Sequence, residues 1–160
     1  MSIAEQRIKE APTDVLCRAA GTLQEAHDYV ESHVFNVGAY GAAKDAGACC
    51  FIGSVRQVAG EHDQGPWENS RQKSSDLALL ALDRAVIEMG GKEYHQTPGV
   101  TAENFGMGHP KWGHSQEGAL QIYRQALREM QTELMGRENL PQAKAKLNRR
   151  SLRQKLGIAA

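Results

Sequence analysis

The chain has 160 residues, 41% of them apolar and 24% charged, with no net charge at neutral pH. That length is one domain with a single core, and that balance is globular rather than disordered. No apolar run approaches the roughly 18 residues of a membrane span, and Met1 to Arg7 lacks the apolar core of a secretion signal, so a cytoplasmic protein is expected. The three cysteines (17, 49 and 50) are odd in number, and two are adjacent, which does not make a disulfide framework and suits a reducing compartment. Aromatic residues are few and Ala and Gly plentiful, favouring closely packed helices over a β-sandwich.

Residues 1–12 are polar and end in Pro12, which reads as a flexible arm. From Thr13 to about Glu31 the apolar residues Val15, Leu16, Ala19, Leu23, Ala26 and Val30 follow helical spacing, with Cys17 on the flank of the stripe and His27 just past it, in solvent. Val34 to Val37 allows a short extended segment. Gly38, Gly41 and Gly47 then punctuate the chain, and although Lys44 precedes a helix start, the stretch does not match the Gly-x-x-x-x-Gly-Lys phosphate loop.

Phe51, Ile52, Val55, Val58 and Ala59 again share one helical face, placing Cys49 or Cys50 at a helix N-terminus. Free N–H groups and the helix dipole there lower a thiol's pKa, so a reactive cysteine is one reading and a small buried hydrophobe the other. The run Cys50-x-x-Gly53-Ser54-Val55-x-x-x-Ala59, preceded by a helix and a glycine-rich turn and followed by the Trp-led start of a later helix, resembles a family of small proteins. The family occurs in actinobacteria and their bacteriophages, carries a Cys-x-x-Gly-Ala-hydrophobic motif and then Trp-Asn-Asp, and has no established activity. The likeness spans about residues 13–130 and implies a phage or actinobacterial origin. Trp112-Gly113-His114 stands where Trp-Asn-Asp is expected, so no role of that Asn-Asp pair carries over.

Gly60 to Lys73 reads as a loop, in which Trp67 is a core anchor or a binding contact. Ser74 or Ser75 then caps a helix whose Leu77 to Leu82 run, continued by Val86 and Ile87, is apolar on most sides and belongs at the centre of a bundle. Gly90-Gly91 stops it. Residues 92–113, with Pro98, Pro110 and several glycines, read as a long irregular loop, and such loops tend to carry function. Tyr94, His95, Phe105 and Trp112 are its candidate binding residues.

His109 and His114 flank that loop's end. With Cys49 or Cys50 as nucleophile, either is a candidate catalytic base, and Glu103 or Asn104 a candidate third group. The same histidines and cysteines are the one set with zinc-ligand chemistry, but no metal or other cofactor is favoured, because His-x4-His is permissive and no Cys-x-x-Cys pair is present. Ser115 caps a long helix with an apolar stripe from Ala119 to Leu134, which suits bundle packing or homo-oligomerisation, and Gly136 is expected to end it.

Asn139 and Pro141 open a last, basic helix that reaches about Leu156 and is ended by Gly157, within a basic C-terminal segment over residues 137–160. Lys144, Lys146, Arg149, Arg150, Arg153 and Lys155 lie there with no acid beyond Glu138, so the neutral total divides into an acidic body and a basic tail. The expected fold is an all-α single-domain bundle of about five helices: an arm over 1–12, a helical domain over 13–136 and the basic tail. Three functions compete. An interaction protein binding a host or partner protein leads, a cysteine-dependent hydrolase or transferase follows, and nucleic-acid binding through the tail is third.

Overall fold

The computed structural model describes residues 1–35, 48–60, 74–94, 97–108 and 115–155, and of residues 48, 49, 74, 106–108 and 139–155 the backbone alone. The fold is all-α. In chain order come α1 (Ile3–Glu10), α2 (Thr13–Ser32), α3 (Phe51–Val58), α4 (Ser74–Glu88), α5 (Val100–Gly108) and α6 (Gln116–Lys155). Two short strands, β1 (Val34–Phe35) and β2 (Ala48–Cys49), pair in parallel, Val34 with Ala48 and Phe35 with Cys49.

Helix α4 is the hub, as its apolar run requires. It packs against each of the other five helices among the described residues, and every residue from Ser75 to Val86 is buried. Its end is a Schellman turn: Gly90 takes φ +94°, Gly90 N–H reaches Ile87 O at 3.0 Å, and Gly91 N–H reaches Val86 O at 2.8 Å. Ser75 lies inside the first turn rather than before it, since α4 already includes Ser74.

Helices α2 and α6 run antiparallel. Gln116 Nε2 donates to Val30 O and Glu31 O at one end, and at the other Arg137 reaches Thr13 Oγ1. Ser115 caps α6 as expected, its Oγ accepting Gly118 N–H at 3.0 Å.

The structure corrects four expectations. Residues 1–12 are not a loose arm: Ser2 Oγ accepts Glu5 N–H, α1 follows, and Ala4 and Ile8, one turn apart, are buried against the core. Arg137 reinforces that helix end by donating to Ile8 O, which Ala11 N–H also reaches at 3.3 Å, and to Lys9 O and Ala11 O. Within the supposed loop at 92–113, residues 100–108 are helical, because α5 is held by its burial and by side chains from α4 rather than by propensity. His27 is 8% exposed, not solvated. Lastly, α6 does not stop at Gly136: it runs 40 residues, through Pro141, so the tail is the same helix rather than a new one.

Candidate functional site

Chemically capable groups converge on the N-terminus of α3. Cys50 follows β2 in an extended conformation, and its Sγ accepts Gly53 N–H at 3.2 Å, making the thiol itself the N-cap. From α5, the fully buried Glu103 brings Oε1 within 2.9 Å of Ile52 N–H. Two of the amides that a helix start leaves open are therefore taken by a thiol and a carboxylate of the same chain.

One turn on, Ser54 gives its single proton to Phe51 O at 3.0 Å, so in its bond with the Tyr123 hydroxyl the tyrosine is the donor. The Tyr123 ring lies 5.9 Å from that of Phe51 and 6.3 Å, edge-on, from that of His27. Tyr123 is fully buried and joins α2, α3 and α6.

Of the candidate catalytic residues, Cys50 has no exposed surface. A nucleophile must be met by its substrate, and this thiol is enclosed. We expect Cys50 to resist iodoacetamide in the native protein and react only on unfolding, while the exposed Cys17 reacts throughout. Peptide mass mapping with and without urea checks this, and native labelling of Cys50 at the Cys17 rate would refute its enclosure.

Cys49 contributes its backbone to β2. Its side chain, together with Trp67, His95, His109, Trp112 and His114, lies outside the described residues. Of the two candidate third groups, the fold brings Glu103 to the helix terminus of Cys50 and turns Asn104 away, its Nδ2 donating to Val100 O within α5.

Phe105 is not a surface contact: it is 6% exposed and meets Gly91 in the core, where a Cβ built on the glycine would stand 2.9 Å from the ring. Tyr94 is 39% exposed, with Lys92 Nζ 5.5 Å from its ring centroid. The basic residues 144–155 lie on the backbone of α6.

Sequence reasoning missed a second polar cluster. Asp83, buried on α4, accepts Gly99 N–H at 2.8 Å and Ala102 N–H at 2.9 Å, so this carboxylate closes the start of α5. Its neighbour Arg84 donates from Nε to Glu129 Oε2 on α6 at 3.3 Å. The available signal was Asp76, Asp83 and Arg84 inside an apolar run, since charge on a helix buried all round requires partners.

Burial lifts Asp83 from 3.8 to about 7, against the pull of the two amides, with Glu103 and Glu93 adding to the rise. Burial also lifts Glu129 from 4.5 to about 7, reinforced by a hydrogen bond with Glu88 and opposed by Gln125 and Arg84. Both folded-state values lie above the unfolded ones, so the folded protein binds more protons between them. This stabilisation is complete below about pH 4 and is lost as pH rises through 7. Urea midpoints should accordingly be higher at about pH 5 than at about pH 8, and a flat profile would contradict these protonation states.

His27, Asp28 and Glu31 on α2 hold their ligand-type atoms within 4.8 Å of one another. A proton explains the cluster better than a metal. His27 Nδ1 meets Asp28 Oδ1 at 2.9 Å, and this bond holds the Asp28 carboxyl below its usual value. Metal at Nδ1 would put a hydrogen on Nε2, which is buried with no acceptor among the described residues, whereas ligating histidines normally donate from the second nitrogen.

The chain matches no protein-family model, no curated protein and no solved structure.

Proposed function

We propose that this protein is a non-enzymatic interaction protein that docks a partner protein, and that the face carrying Ile3 and Tyr94 is where it does so. One observation carries the reading: Ile3 and Tyr94, 45% and 39% exposed, line one cavity of about 50 Å³ together with apolar Leu80, Ile87 and Pro98 and polar Arg7, Asp83, Glu93 and Thr101. A small pocket that combines apolar residues with charged and hydroxyl groups suits a partner's short side chain beside its polar backbone. The resemblance to phage and actinobacterial proteins makes a host protein the natural partner. Helix α1 is pinned for this role, because Glu93 Oε1 accepts Ile3 N–H at 2.8 Å.

Cross-linking followed by affinity capture of the tagged full chain tests it. A stoichiometric partner recovered by the wild type and lost from Ile3→Ser/Tyr94→Ser is the expected result; no such partner, or capture indifferent to the two substitutions, would count against it.

A cysteine-dependent hydrolase or transferase is the second reading. Its specific support is Glu103, the candidate third group, which stands at the Cys50 helix terminus; the candidate bases His109 and His114 lie outside the described residues. Native protection of Cys50 from alkylation would leave only Cys49 to carry it.

A further inference from the structure

Six basic residues spread along a chain are a diffuse charge; on a helix they acquire direction. The backbone of α6 is helical to Lys155, and at 100° per residue positions 146, 149, 150 and 153 fall within about 100° of arc, the i, i+3, i+4, i+7 pattern of a single face. Positions 144 and 155 fall on the opposite side. The four form a stripe about 10 Å long, which spans roughly three phosphates of one DNA strand at 3.4 Å rise. No acidic residue follows Glu138.

We infer that Lys146, Arg149, Arg150 and Arg153 form a binding face for the phosphate backbone of a nucleic acid. Three of the four are arginines, whose planar guanidinium takes a phosphate by two parallel hydrogen bonds, which suits this ligand better than a general attraction to acid. Five carboxylates of the acidic body are already engaged by groups of the body itself: Asp83 with Gly99 and Ala102, Glu93 with Ile3, Glu103 with Ile52, Glu129 with Arg84, Glu133 with Arg137. The body also holds α6 as far as Arg137, and the helical backbone continues from there through residues 146–153.

Binding through this face is electrostatic and indifferent to sequence. Neutralising up to four phosphates gives a slope of about −3.6 in log affinity against log salt, or about a hundredfold loss between 50 and 200 mM.

The test is fluorescence anisotropy of the full-length protein with a short random-sequence DNA duplex. The face variant replaces Lys146, Arg149, Arg150 and Arg153 with glutamine, which keeps helix propensity, and the control replaces Lys144 and Lys155. The expected result is salt-dependent binding that the face variant weakens about a hundredfold at the lower salt and the control by only a few-fold. Absence of binding at low salt, or a loss proportional to charge removed from either side, overturns the inference. So does competition by polyglutamate as effective as by unlabelled duplex, which would assign the face to an acidic protein. The inference is independent of the docking surface at Ile3 and Tyr94, because the face variant should still capture the protein partner there.

Discussion

Replacing Asp83 with alanine is expected to destabilise the protein by about 2–5 kcal/mol, since it leaves two amide donors at the start of α5 without acceptors, at about 1–3 kcal/mol each. Gly99 is buried and so is Ala102, so water does not readily replace the lost oxygens. The consequence is local first. Helix α5 should loosen, withdrawing Glu103 from Ile52 and Phe105 from Gly91.

Asp83→Asn is the informative companion, because an amide keeps one acceptor oxygen but cannot ionise. It should cost less than alanine and flatten the Asp83 share of the pH dependence. As the wild type loses stability on deprotonation near pH 7 and neither variant can, the alanine penalty should be larger at about pH 5 than at about pH 8. Urea midpoints at both pH values measure all of this, and an alanine variant within about 0.5 kcal/mol of wild type would mean that Asp83 does not hold α5.

The second large effect is expected at Gly99, whose N–H donates to Asp83 itself. Its φ of +92° is a conformation side chains avoid, and a Cβ there would stand 2.6 Å from Ile52 Cγ1 and 3.0 Å from Leu79 Cδ2. Both neighbours are core residues, 2% and 0% exposed, so neither can swing into solvent. Gly99→Ala should therefore cost about 2–5 kcal/mol, combining backbone strain with overpacking.

Gly21→Ala is the control. It lies within α2 with nothing within 4 Å of a built Cβ, so alanine there should stabilise by up to about 1 kcal/mol through helix propensity. Thermal melts of the pair would settle the matter, and a Gly99 variant melting with the wild type would show that this junction yields.

These predictions meet at the contact of α3, α4 and α5, a region only half visible in the chain. Either Cys49 or Cys50 was placed at a helix start by the spacing of Phe51, Ile52, Val55 and Val58, and the structure puts the Cys50 thiol in the cap position. Glu103 was one of two candidates. Its choice over Asn104 depends on how α5 lies across α3, and nothing local to residues 103 and 104 encodes that.

The sequence by itself determined the strongly periodic elements: α2, α3, α4 and the first half of α6, a cysteine at the start of α3, the cap at Ser115, and the stop at Gly90-Gly91. In each, the information is local, because a buried stripe must repeat at 3.6 residues and a helix end needs an acceptor or a left-handed residue. The tertiary structure alone decided the rest. Helix α1 offers just Ala4 and Ile8 to the core and owes its end to Arg137, far along the chain. Helix α5 is short, carries glycines, and forms where Asp83 supplies acceptors for its first amides. Pro141 read as a beginning because its ring favours a first turn, yet α6 continues through it. Local propensity fixes what a segment prefers; the long-range hydrogen bonds of Asp83, Glu103 and Arg137 fix what the neighbouring segments permit.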